Sequence, residues 1–169
     1  MSTPQPPQPP EIQREFTPYP VQVIGIGIMT LLIVAALLGI FGATTDTVQA
    51  STRELTLALE YGSRIRYGQP QTLNIAVTNH SDQPLEGAFV RLERDYLAHF
   101  SDIQIIPSNV RITDDSYEML LDPIEAGGAR FVMIEMRAER AGMYESVIVL
   151  ATGEGAALVT VRFSSVTFP

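Results

Sequence analysis

Apolar and polar positions follow two different regimes along this chain. No charge lies between Glu15 and Asp46, and residues 21–43 read VQVIGIGIMTLLIVAALLGIFGA, with Gln22 and Thr30 the clearly polar members. A helix of that length rises about 35 Å, enough to cross a hydrocarbon core of about 30 Å. It lacks the polar stripe that a helix packed in a soluble core turns to water. From Arg53 onward the period drops to two. Leu55, Leu57 and Leu59 share one face of residues 54–60; Leu73, Ile75 and Val77 share one of 72–78; Ala88, Val90 and Leu92 share one of 88–93. Short strands follow at 103–106, 110–112 and 117–121. A long one at 130–138 is apolar on both faces, as in a central strand, and two more run over 143–151 and 157–163, the last continuing toward Phe168. Turn residues punctuate the chain at 61–70, 79–84, 122–128, 141–142 and 153–155, and 95–100 reads as a short helical turn.

The pattern predicts an all-β fold: an antiparallel immunoglobulin-like or fibronectin-like sandwich of seven to nine strands, preceded by one transmembrane α-helix. The domain boundaries that follow are a proline-rich tail at 1–20, a transmembrane helix at 21–43, a polar linker at 44–52, and a β-sandwich domain at 53–169. The linker is short enough to hold the domain near the membrane surface.

Composition narrows the classes. The formal charge is −8, from 11 basic and 19 acidic residues, and every basic residue is an arginine. An acidic chain without a basic block argues against nucleic-acid partners and against docking on anionic lipid. There is no cysteine, which removes disulfides, thiolate metal sites and cysteine nucleophiles. A cleavable signal peptide wants a basic n-region and a shorter apolar core. Here Arg14 is flanked by Glu11 and Glu15, so an uncleaved anchor is expected even though Val48, Gln49 and Ala50 would make an acceptable cleavage site. The tail carries PxxP spacings from Pro4 to Pro7 and from Pro7 to Pro10 without a flanking base, and it reads as a semi-rigid extension.

Few residues point to chemistry. The two histidines, His80 and His99, fall in separate irregular stretches, and Asp114 and Asp115 lack the spacing of a calcium loop. No nucleophile elbow and no glycine-rich phosphate loop is present. The expectation is a non-enzyme with no catalytic residue, no cofactor and no metal. The Asn79-His80-Ser81 triplet matches a glycosylation acceptor and also a turn. Two candidate contact sets remain. Ala35, Gly39 and Ala43 recur every four residues and would line one helix face, letting a second helix approach closely and giving a homo- or hetero-oligomer in the bilayer. Tyr96, Leu97 and Phe100 lie in an aromatic and aliphatic run at 95–107 and are the candidate surface for a protein partner.

The run at 73–93, LNIAVTNHSDQPLEGAFVRLE, resembles the strand, Asn turn, strand opening of bacterial surface β-sandwich modules of the CARDB and adhesion-like type. Residues 120–150 resemble the second half of the same pattern. The matching positions, Val77, Asn79, Pro123, Gly128, Gly142 and Tyr144, are structural. The resemblance implies a non-catalytic interaction or scaffolding module at the outer face of the cytoplasmic membrane, single-pass, with its C-terminal domain extracytoplasmic. The alternative is a small accessory subunit of a respiratory, transport or secretion complex, docking through its helix.

Overall fold

The computed structural model describes residues 19–37, 42–153 and 156–169. The chain divides into two units, Met1–Gly42 and Ala43–Pro169.

In the first unit, helix α1 covers Pro20–Leu37; of the expected span at 21–43, residues 38–41 lie outside the described residues. Pro20 opens it, where a missing N–H costs nothing. Its mean hydropathy is 2.3 and none of its residues is buried. The polar side chains are absorbed locally: Thr30 Oγ1 donates to the Ile26 carbonyl at 2.8 Å, and Gln22 Oε1 accepts from the Tyr19 N–H at 3.3 Å. The helix is long and apolar enough to span a membrane. The tail through residue 18 and Gly39 lie outside the described residues.

The second unit is almost entirely strand: β1 (Thr44–Ser51), β2 (Leu55–Arg66), β3 (Pro70–Asn79), β4 (Ala88–Glu93), then the single helical turn α2 (Arg94–Leu97), β5 (Phe100–Ile106), β6 (Val110–Ile112), β7 (Ser116–Leu120), β8 (Ala129–Ala138), β9 (Gly142–Thr152) and β10 (Ala157–Phe168). They hydrogen-bond into one continuous sheet in the order β5-β8-β3-β2-β10-β9-β4-β7-β6, with β1 added on β2. Inward residues of most of these strands meet in a single apolar core that includes Leu57, Leu59, Leu73, Ile134, Ile148 and Leu150. The sequence pattern predicts seven to nine antiparallel strands in two layers. The described residues form ten strands in a mixed, nearly closed sheet, because the tail of β10, Val166–Phe168, pairs in parallel with Arg64–Arg66 of β2.

Two further departures have local causes. The linker at 44–52 is strand β1, registered from Thr44 against Arg64 to Ser51 against Thr56. Its Thr and Val content favours extended backbone, but only Val48 and Ala50 pack against the core, so the alternation is faint. The expected turn at 61–70 begins only after Arg66. Gly62 and a bulge at Ser63 carry β2 from its pairing with β3 to its pairing with β10. A side chain at Gly62 would meet Gln71 Oε1 at 2.9 Å and Ile65 Cγ1 at 3.2 Å, so a Cβ there requires both side chains to shift.

A second bulge, in β5, matters for the surface. The three residue steps on β5 from Ser101 to Gln104 span two steps on β8, from Arg137 to Glu135. Asp102 takes a positive φ of 51° there, and its carboxylate accepts from Arg137 Nε at 3.0 Å. One extra residue reverses the facing of everything after it. Ile103 and Ile105 turn to the core, and Ile106 turns out.

Candidate interaction surface

The sequence-based contact residues lie in the interior. Tyr96 and Leu97 are buried by α2, and Phe100 by the start of β5. They close the core at the end where β2 finishes. Tyr96 packs its ring 5.0 Å from both Phe100 and Phe163, and Tyr61 lies 5.1 Å from Phe163. The Tyr96 hydroxyl bonds Ser165 Oγ at 3.2 Å, and burial pushes its pKa up to about 12. An irregular apolar run cannot show from sequence which way it faces; here one helical turn folds it inward. Of the helix-packing set, Ala35 lies on α1, Gly39 is outside the described residues, and Ala43 stands just before β1, off the described helix.

The polar candidates are also structural. Asn79 is fully buried. Its Nδ2 donates to the carbonyls of Gln83, Ile124 and Glu125 at 2.7, 3.1 and 3.4 Å. Its Oδ1 accepts from the Ser81 N–H and hydroxyl at 3.0 and 2.7 Å. The amide that a glycosylation acceptor would present is therefore committed to joining two loops. His80 bonds Thr56 Oγ1 at 3.0 Å, while His99 stacks on Tyr144 with ring centroids 3.9 Å apart at the other end of the sheet. Arg91 pairs across the strands with buried Glu118 at 2.9 Å, and Glu93 accepts from Ser146. Among the described residues no group of three or more His, Asp or Glu side chains is placed to hold a metal ion.

What the fold assembles on its surface is an apolar groove on the outer face of β2, β3, β8 and β5. Strand pairing builds it rung by rung. Ala58, Ala76 and Phe131 are cross-strand neighbours, and on the next rung Glu60, Asn74, Met133 and Ile106 are neighbours. The small alanines make the floor. Phe131, 71% exposed, and Ile106, 42% exposed, stand at its sides, and Pro107 extends it. The cavity holds about 540 Å³. Its polar groups are Glu60 and Asn74, held to each other by Asn74 Nδ2 donating to Glu60 Oε2 at 3.2 Å. Phe131 is the most exposed large apolar side chain among the described residues of the sheet domain. The sequence carried one signal for it: residues 130–138 are apolar on both faces. Ile106 carried none, because the bulge at Asp102 decides its side.

A scan against models of known protein families finds no match to the chain, and a search of curated proteins finds none. Solved structures with related strand arrangements include a red sea bream transglutaminase, 15% identical with a TM-score of 0.46, the match covering 70% of this chain and 15% of that one. Another is the CARDB domain of a Pyrococcus furiosus protein in complex with di-metal ions, 8% identical, TM-score 0.41, covering 75% of this chain and 87% of that one. A third is a C. elegans member of the MSP family, 18% identical, TM-score 0.36, covering 63% and 93%.

Proposed function

We propose that the chain is a single-pass, membrane-anchored, non-catalytic interaction module, an immunoglobulin-like β-sandwich held at the outer face of the cytoplasmic membrane and contacting a protein partner through the groove around Phe131. The anchor reading is supported by a helix apolar on every side, with no ionisable residue over Pro20–Leu37 and with its polar groups bonded to its own backbone. The sandwich reading is supported by two runs of antiparallel neighbours, β2-β3-β8-β5 and β10-β9-β4-β7-β6, facing one core. The outer-face location rests on the resemblance of residues 73–93 to surface modules. The observation that carries the interaction role is the exposed Ala58, Ala76 and Phe131 row continuing into Met133 and Ile106.

Site-specific photocrosslinking tests the groove. The full-length chain is expressed with benzoylphenylalanine at Phe131 or at Thr160, an outward position on β10. A discrete adduct at 131 that disappears when Ala76→Arg fills the floor is the expected result. The same adducts at both positions, insensitive to Ala76→Arg, would refute the groove's role. Protease added to intact spheroplasts tests the location: digestion of the sheet domain is expected, and protection until lysis would overturn the extracytoplasmic placement.

A further inference from the structure

The two ends of the sheet domain differ in chemistry. The far end is where β1 and β3 finish and β8 begins, at Ser51, Asn79 and Ala129. Its loops expose Glu54, Asp82, Glu86, Asp122 and Glu125 against Arg53. The other end is where the chain enters, since Thr44 is registered with Arg64 and its Oγ1 bonds Ser63 Oγ at 3.0 Å. There the acidic side chains Asp95, Asp102, Asp114, Asp115, Glu139 and Glu145 are nearly balanced by Arg64, Arg66, Arg94, Arg137 and Arg140. The entry end also exposes apolar side chains. Met143 is 67% exposed and is the direct cross-strand neighbour of Val166, 40% exposed. Tyr67, 58% exposed, lies just beyond, its N–H donating to the Phe168 carbonyl at 2.9 Å.

The geometry points to a lipid surface as the occupant of this apolar tip. We propose that Tyr67, Met143 and Val166 dock into the headgroup region of the bilayer; this rests on the anchor reading given above. Three observations select lipid. First, residues 38–43 link α1 to Thr44, and a chain of that length spans at most about 20 Å, so a spanning α1 tethers this end beside the bilayer. Second, a tyrosine beside aliphatic side chains suits the interface, where one end of the ring is apolar and the other wet. Third, the acid at this end is nearly balanced by arginine, whereas at the opposite end it is in excess, which keeps the net negative charge away from lipid phosphates.

The absence of cysteine makes the test direct. Single-cysteine variants of the full chain, Ala141→Cys in the turn beside Met143, Glu125→Cys at the far end and Ile28→Cys in α1, are labelled with bimane and reconstituted into phosphatidylcholine vesicles. Quenching is read with lipids spin-labelled at the headgroup or deep in the acyl chain. The expected result is headgroup quenching at 141, none at 125, and loss of the quenching at 141 when Met143→Asp and Val166→Asp are added. These are exposed positions, so the double variant keeps its core, and an unchanged circular dichroism spectrum verifies this. Equal quenching at 141 and 125, with Ile28 still quenched from the acyl chain, would overturn the docking and leave the anchor standing. No acyl-chain quenching at Ile28 would overturn the anchor, and the docking with it.

Discussion

Asn79→Asp replaces one buried group by another of the same shape, which makes it a sharp probe of the far end of the sheet. The native amide donates to three carbonyls and accepts two bonds from Ser81, and it is inaccessible to water. An aspartate keeps the acceptor bonds and presents an oxygen to the three carbonyls. The two Nδ2 protons are shared among the three contacts, so losing them costs about 1 kcal/mol each, roughly 2 in all, and burying an unpaired carboxylate raises the total to about 3–5 kcal/mol. Against a usual folding stability of about 5–15 kcal/mol this is a large fraction. The assay is urea unfolding of the detergent-solubilised full chain by far-ultraviolet circular dichroism, at neutral pH and again at a pH low enough to protonate carboxylates. The midpoint should fall strongly at neutral pH and recover in part at low pH, where the protonated side chain can donate one bond. A variant within about 1 kcal/mol of the parent at neutral pH would refute the reasoning, and it would mean that the loop at 80–87 is not pinned to the loop at 121–128 by this amide.

Other outcomes follow from the same packing. Leu97→Ala should destabilise the chain by about 2–5 kcal/mol, since the side chain is buried in the core, whereas Phe131→Ala on the exposed face should change unfolding by less than about 1 kcal/mol; the reverse order would restore residues 95–100 as the contact surface. Burial raises the folded pKa of Tyr96 from the ordinary tyrosine value of about 10 to about 12. A raised pKa for an acid means stability is intact below about 10 and is lost as pH climbs toward 12. Tyr96→Phe should flatten that alkaline limb in a thermal-melt pH series, at the loss of one neutral hydrogen bond worth about 1 kcal/mol at neutral pH.

The strands of this domain were legible where one face is buried and the other wet. Residues 72–78 and 88–93 alternate cleanly, and they are β3 and β4 within a residue or two. The reading failed where the physics is not local. β1 buries little, so its alternation is faint, and its pairing with β2 is decided across a connection. The apparent turn at 61–70 holds Gly62 for close approach as well as Gly68 for a positive φ of 73°; the letters do not distinguish the two uses. The groove was half legible. Phe131 and Met133 show as apolar residues on the wrong parity of β8, but Ile106 reaches the outer face through the bulge at Asp102, a property of the pairing with β8 rather than of the sequence run. Tyr96, Leu97 and Phe100 have the composition of a contact surface and the placement of a core, because a single turn, α2, decides their direction.

The parallel ladder between β2 and the tail of β10 sets the order in which this domain can be completed. Arg64–Arg66 and Val166–Phe168 lie roughly 100 residues apart in the chain, so their contact belongs to the class that folds late and raises contact order. Until residues 166–168 are available, the lower half of β2 lacks one neighbour, and only the β1 pairing shields it. A folding intermediate without that ladder therefore exposes a strand edge at Ile65. Joining β10 to β2 completes the sheet, and the interval before it is when an improper strand partner does the most harm.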